Sequence, residues 1–393
     1  MKRILKFLIT AVFVLLITAS SFSVCAEDTP LVSREDFLWG VNRHSNFYHL
    51  YGDINLEEQI HLMADMGAKI MRININTEDI ASTDKTVKLC NAYGIKVMII
   101  MGCVRTMGEN NDTDYEYRMM NFFADRYNGK NGFGKVDFFQ LDNEVDSYYY
   151  DQFGHNGYDY MEAYDIDFLK ELASNFNNLS KAVRDADTDA SVVINHNGKF
   201  PQFIDYLCNF NVDFDIIGID WYSAMSEKLI SHGQTPFARA KMLYDEYKKD
   251  IIICETNLTS NQDRDENDVS NWDILIDIMN EAYSYPFVKG CIVYELCDEP
   301  YLEDVGSFNG EAHFGIINAD RYGTMYEPKP IYYRLKNLWG GKDTKEITIE
   351  KAMSLNTKEI KDYKNNCQVL VAIISIIIIA IYTAVIIILK RKN

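Results

Sequence analysis

Apolar positions along the chain follow two alternating rhythms. Eight short runs are almost continuously apolar: "DFLWGVN", "KIMRINI", "IKVMIIMG", "VDFFQLDNE", "SVVINHNG", "FDIIGIDWYS", "DIIICETN" and "KGCIVYELCDE". Between them lie longer segments whose apolar residues recur every three or four positions, such as "NLEEQIHLMADMG", "TDKTVKLCNAYG", "DYEYRMMNFFADRYNG", "DIDFLKELASNFNNLSKAVRDAD" and "FARAKMLYDEYKK". The first rhythm is that of strands buried on both faces, as parallel sheets require. The second is that of amphipathic helices, and several end in Gly, a helix stop. Eight strand–helix units over about 305 residues predict a closed (β/α)8 barrel, which typically takes ~250 residues before loop insertions. An open doubly wound sheet shares the alternation. No Gly-rich phosphate loop follows the first strand, which counts against the dinucleotide-binding version of that sheet.

The two ends follow neither rhythm. Lys2, Arg3 and Lys6 precede an apolar run from Phe7 to Leu16, and Val24-Cys25-Ala26 offers a cut before Glu27, so residues 1–26 read as a secretory signal. An uncleaved anchor helix is the alternative. Near the other end, Gln368 to Leu389 contains no charge and is followed by Lys390, Arg391 and Lys392. At ~1.5 Å per residue that stretch spans a hydrocarbon core of ~30 Å, and the basic cluster stays cytoplasmic by the positive-inside rule. The expected order is a barrel domain over 27–342, a charged stalk over 343–366, a transmembrane helix over 367–389 and a basic tail over 390–393. The barrel would then lie outside the cell membrane.

Charge and cysteine content narrow the partners. The whole chain carries −19, and each end contributes three positive charges and no acid, so the exported part is more acidic still. Nucleic acid and anionic lipid surfaces need basic patches and are excluded as partners of that part. Of eight cysteines, Cys25 falls in the signal and Cys367 abuts the membrane segment. The other six show no CxxC pair or zinc spacing, and several lie in apolar strands, so mostly free thiols with at most one bridge are expected. No HExxH or carboxylate–histidine cluster indicates a metal, and no cofactor is called for. A monomer is expected.

Candidate chemistry sits at the strand ends, where the loops of a (β/α)8 barrel form its cleft. These ends carry Asn42 and His44, Arg72 and Asn74, Asn143 and Glu144, His196 and Asn197, Trp221 and Tyr222, Glu255 and Asn257, and Tyr294 and Glu295. The fourth and seventh strands finish in glutamate after strongly apolar runs, and they lie across a barrel from each other. Paired carboxyls support glycoside hydrolysis: one, protonated, helps the leaving oxygen depart, while the other, ionised, attacks the anomeric carbon or activates water. Trp221 and the run Tyr148 to Tyr150 offer faces for sugar rings, and His44 and His196 are placed to touch a sugar. Asp146 reads as a loop charge.

This layout resembles glycoside hydrolase clan A, the retaining (β/α)8 glycosidases with Asn-Glu after strand four and Glu after strand seven. The likeness runs from "FLWGVN" to "EPKPIYYRLKNLW" and includes a closing "FG…PKP" before the last helix. It implies Glu144 as acid/base, Glu255 as nucleophile, Asn143 as the ligand of the sugar 2-hydroxyl, Arg72 as the cation holding the nucleophile ionised, and Tyr222 as a hydroxyl reaching it. Two positions depart from the clan's pattern. Tyr294 stands where Trp usually follows strand eight, and Val145 replaces the frequent Pro after Asn143-Glu144. "YELCDEP" is weakly similar to relatives of family 39 and to exopolysaccharide hydrolases. The expected substrate is a β-linked oligo- or polysaccharide, cut internally beside the membrane. Two alternatives remain. Asp137-x-x-Gln140-x-Asp142-x-Glu144 matches three of four positions of the chitinase-like family 18 signature, whose chemistry is substrate-assisted. A barrel that only binds carbohydrate is the other.

Overall fold

The computed structural model describes residues 34–45, 51–52, 55–102, 113–147, 166–186, 189–198, 202–223, 236–258, 269–304, 311–323 and 326–355. The expected signal, transmembrane helix and basic tail lie outside these residues, as do Tyr148 to Tyr150 and Cys103. Among the described residues no helix is long and apolar enough to cross a membrane.

Eight parallel strands close on themselves in sequence order: β1 (Leu38–Arg43), β2 (Ile70–Asn74), β3 (Lys96–Met101), β4 (Phe138–Leu141), β5 (Ser191–Asn197), β6 (Ile216–Tyr222), β7 (Asp250–Asn257) and β8 (Val288–Val293). β8 pairs with β1, Gly290 opposite Leu38, and this closure excludes the open sheet. Among the described residues seven helices connect consecutive strands: α1 (Leu56–Met66), α2 (Ile80–Tyr93), α3 (Thr113–Arg126), α4 (Ile166–Ala186), α5 (Gln202–Asn209), α6 (Pro236–Tyr247) and α7 (Val269–Ser284). After β8 come a short 3-10 turn (Pro300–Asp304), a two-stranded antiparallel sheet of β9 (Ile317–Ala319) and β10 (Tyr326–Pro328), then α8 (Pro330–Trp339) and α9 (Ile349–Ser354). The expected glycine stops hold at Gly67 and Gly94, which cap α1 and α2 in the left-handed conformation, and Gly340 caps α8 in the same way.

Strand alternation divides the core in two. One layer lies inside the barrel and takes a side chain from every strand: Leu38, Ile70, Met98, Phe138, Val193, Ile216, Ile252, Cys254 and Ile292. The larger layer fills the space between barrel and helices, with Val41, Met71, Phe139, Ile194 and Trp221 from the strands. Each such aliphatic or aromatic side chain contributes about 1.5–3 kcal/mol when fully buried. The inner layer plugs the barrel, so residues one step nearer the carboxyl ends of the strands form the floor of the cleft.

β7 breaks the alternation at the decisive place. Ile219 of β6 pairs with Ile253, but the next residue, Asp220, pairs with Glu255, so Cys254 is an extra residue in β7. Both Ile252 and Cys254 face the interior, and in a regular strand Glu255 would point at the helices. The bulge reverses the phase and turns Glu255 inward, as bulges beside functional sites commonly do. Gly218 makes the room: a Cβ there would lie 2.7 Å from Asn195 Cβ and 2.8 Å from Cys254 Sγ.

The boundary expected at residue 342 is corrected. The segment 343–355 is not a free stalk but lies on α1 and α2. Thr344 donates twice to Asp65 Oδ1 at 2.6 Å, the Ile347 N–H to Tyr93 Oη at 2.7 Å and the Ile349 N–H to Glu57 Oε1 at 2.5 Å, while Ala352 is fully buried. Charge and short length hid a segment whose own backbone donors find acceptors on the barrel wall. Five cysteines, Cys90, Cys208, Cys254, Cys291 and Cys297, are free thiols.

Candidate functional site

A single buried guanidinium organises the cleft floor. Arg72, at the end of β2, donates from Nη1 to Glu255 Oε1 and to Asn42 Oδ1, both at 2.7 Å. Its Nη2 reaches Asn143 Oδ1 at 2.5 Å and its Nε reaches Gln140 Oε1 at 2.7 Å. Burial works against its charge, yet Glu255 and then Asp220 outweigh burial and hold its pKa above the ordinary value. The second oxygen of Glu255 accepts from Tyr222 Oη at 2.7 Å. Both oxygens of this carboxylate are thus fixed by donors, one of them cationic.

Glu144 sits in different surroundings. It follows β4 on a turn in which Asp142 and Glu144 adopt left-handed backbone, φ 60° and 44°. Such conformations cost about 1–3 kcal/mol each and are held here by side chains from neighbouring strands. Asp142 Oδ1 accepts the Asn143 N–H at 2.7 Å, and Asn195 Oδ1 accepts the Glu144 N–H at 3.0 Å. The Glu144 carboxylate accepts from the neutral amide of Asn197 at 3.0 Å. Asn143 Oδ1 also accepts from Asn195 Nδ2 at 2.9 Å. Its carbonyl therefore serves Arg72 and Asn195 together, leaving the amide nitrogen as the donor for a ligand.

Two further acids lie beneath. Asp220 is fully buried, its Oδ2 accepts from Asn195 Nδ2 at 2.7 Å and its Oδ1 has no partner. Burial, then the charge of Glu255, raises its pKa well above the ordinary carboxylate range, with Glu144 adding to the shift. Asp220 therefore lies within the electrostatic reach of both glutamates. Asp146 is also fully buried, with both oxygens 3.1 Å from the Asn197 N–H, and burial followed by Glu144 raises its pKa. The expectation of a loop charge at Asp146 is corrected: it faces inward under Glu144.

Strand parity sorts the remaining candidates. In β5, Asn195 and Asn197 face the cleft, so His196 between them points outward. It is buried, its Nδ1 lies 2.7 Å from the Asn197 carbonyl, and burial pushes its pKa down to about 4. In β6, Asp220 and Tyr222 face inward, and Trp221 lies in the outer core with its ring over Gly198. Neither His196 nor Trp221 is placed to touch a sugar in the cleft. The residues missed, Asn195 and Asp220, are separated by two positions from inward-facing Asn197 and Tyr222, and period-two counting would have found them.

The far wall is aromatic and acidic. Tyr294 follows β8, with its ring 6.4 Å from Tyr222 and 5.9 Å from Phe314 between centroids. Its hydroxyl lies 3.2 Å from His44 Nε2. His44 is also 3.2 Å from Glu295 Oε2, behind which lies Glu299. Burial and then Glu295 push the pKa of Glu299 up to about 8.

Comparison with known proteins agrees with this architecture. The family model of glycosyl hydrolase family 53 matches residues 128–284, a stretch that contains Asn143, Glu144 and Glu255. No curated protein sequence matches. Among solved structures, the β-glucosidase of Thermotoga maritima in complex with an N-octyl calystegine derivative superposes with a TM-score of 0.60 at 14% identity, covering 80% of this chain and 99% of that one. The same organism's family 1 β-glucosidase gives 0.59 at 14% identity, with the same coverage. The network of Arg72, Asn143 and Glu255 is one that a family 18 mechanism leaves without employment. The family 53 match runs through both glutamate-bearing strands and supports a glycosidase, and the solved structures share the closed barrel.

Proposed function

We propose that the chain is a retaining, endo-acting β-glycanase whose nucleophile is Glu255 and whose acid/base is Glu144. The observation that carries this assignment is the grip on Glu255, one oxygen held by Arg72 and the other by Tyr222, while Glu144 accepts from the Asn197 amide on another strand end. Unequal surroundings are what separate an ionised attacker from a proton donor. In the first step Glu255 Oε attacks the anomeric carbon as the glycosidic C–O bond breaks, and Glu144 gives its proton to the departing oxygen. In the second, Glu144 takes a proton from water, the water oxygen bonds to the anomeric carbon, and Glu255 leaves as carboxylate. Asn143, its carbonyl committed to Arg72 and Asn195, donates through its amide nitrogen to the sugar 2-hydroxyl. Tyr294 supplies an aromatic face beside Tyr222 for the ring.

The family match directs the substrate toward β-1,4-galactan, the polymer of family 53 activity. The basic start and apolar run of residues 1–26 and the uncharged stretch Gln368–Leu389 support a place at the outer face of the cell membrane, where an endo-acting enzyme would meet polymer. The test is trapping with a panel of 2-deoxy-2-fluoro glycosyl fluorides, followed by peptide mass analysis. Label is expected on the peptide containing Glu255, most strongly with the galactosyl reagent. Label on another carboxylate, or polysaccharide hydrolysis unaffected by both E144Q and E255Q, overturns the assignment. Oligosaccharides of mixed length are the expected products; release of monosaccharide alone would refute endo action. Protease shaving of intact cells should remove the barrel.

A further inference from the structure

We propose that His44, Glu295 and Glu299 bind a divalent transition-metal cation in the cleft wall, between the end of β1 and the loop after β8. One ligand atom from each residue lies within 4.8 Å of the other two. Atoms bound to one cation at ~2.0–2.2 Å lie roughly 3–4.4 Å apart, so small side-chain movements close the site. The inference does not rest on the assignment of Glu144 and Glu255.

Three observations point to a cation. First, Glu295 and Glu299 are almost completely buried, and no Lys or Arg among the described residues forms an ion pair with either. The same loop shows the alternative: Asp298, equally buried, has Lys329 Nζ at 2.7 Å. Arg43 is not available as a counter-charge, because its donors serve Gln59, the His44 carbonyl and the Tyr51 carbonyl. Second, Glu295 Oε1 is buried without any hydrogen-bond partner. An acceptor left so is costly, and a metal bond removes the cost.

Third, the groups behind the three residues orient them as second-sphere partners orient metal ligands. Tyr51 Oη donates to Glu295 Oε2 at 2.8 Å, and Tyr301 Oη donates to Glu299 Oε1 at 2.8 Å. Each carboxylate is tied through one oxygen, and Glu299 turns its other oxygen toward His44. The His44 ring is hydrogen-bonded to the Asn74 side chain, and its Nε2 faces the carboxylates. One imidazole with two carboxylates suits Zn2+ or Mn2+ better than Mg2+, which prefers oxygen and water. This reverses the expectation from sequence that no metal is bound, since residues 44, 295 and 299 have no ligand-like spacing in the chain.

The test uses the full chain in detergent, stripped with EDTA and then titrated. Mn2+ is followed by loss of its free six-line EPR signal and Zn2+ by calorimetry. One equivalent of either ion is expected to bind and to raise the melting temperature. H44Q and E299Q should each weaken binding by at least ~100-fold, and Tyr301→Phe by about ten-fold. Circular dichroism melting in EDTA establishes that the variants are folded. Absence of stoichiometric binding overturns the proposal, because the buried acids are then satisfied by protons. Binding that is unchanged in folded H44Q and E299Q overturns it equally, because the ion then sits elsewhere.

Discussion

Replacing Arg72 by Met tests the site at its centre. The change is close in length and leaves the inner barrel filled, but it removes the donor of four hydrogen bonds at 2.5–2.7 Å. Glu255 then keeps Tyr222 and loses its cation. For charge centres ~4 Å apart at an effective dielectric constant of ~20, the lost attraction is about 4 kcal/mol. At ~1.4 kcal/mol per decade, that is a roughly 10^3-fold smaller population or reactivity of the attacking carboxylate. Asn143 loses the partner that fixes its amide, which adds to the loss. The assay is kcat against pH with an activated aryl β-glycoside, together with thermal melting. R72M is expected to lose about three decades in kcat. R72K, which keeps charge but cannot serve four acceptors, should fall between. A folded R72M that keeps kcat within about ten-fold at every pH would refute the view that this guanidinium sustains the nucleophile.

Three further outcomes follow from the same geometry. Y222F removes a hydrogen bond to a charged group worth about 1.5–3 kcal/mol, so kcat should fall roughly 10–100-fold with little change in melting; an unchanged kcat sinks the contact. G218A forces a Cβ within 2.8 Å of Cys254 Sγ and should cost about 1–3 kcal/mol of stability, measured by urea titration, together with a loss of activity as the β7 bulge shifts. Full activity in G218A would separate the bulge from the site. D146N removes a buried acid whose pKa is raised by burial and by Glu144. Folding raises the proton affinity of Asp146, so its contribution to stability is present at low pH and is lost as pH rises past about 4. D146N should therefore gain in melting temperature over wild type with rising pH. A difference in melting temperature between D146N and wild type that stays constant with pH would contradict the raised proton affinity of Asp146.

Much of this was legible in the chain. Near-continuous apolar strands alternating with amphipathic helices suffice for a parallel sheet covered on both faces, and the closure of β8 on β1 decides for the barrel. Arg72, Asn143, Glu144, Tyr222 and Glu255 were legible because polar groups at the ends of apolar strands have no structural reason to be there. His196 and Trp221 have side chains suited to a sugar, but neighbouring residues of a strand face opposite ways and parity turns both away from the cleft. Asp146 was hidden because burial of an acid after a turn depends on where β5 places Asn197. The wall of His44, Glu295 and Glu299 was invisible because its parts are distant in sequence and meet only when β8 closes against β1.

The bulge in β7 has a consequence for inheritance. The reach of Glu255 into the cleft depends on the count of residues in one strand rather than on the identity of its neighbours. Deleting Cys254 would shorten β7 by one position, keep every other strand pairing and every helix, and convert an irregular strand into a regular one. The acid would follow Ile253 directly, still inward and still opposite Asp220, but without the bend that the extra residue puts into the strand beneath it. Point substitutions, however numerous, leave this count untouched. In descendants of this barrel, insertions and deletions within β7 would therefore reset the reach of Glu255 in a single step, while drift in side chains would alter it only gradually.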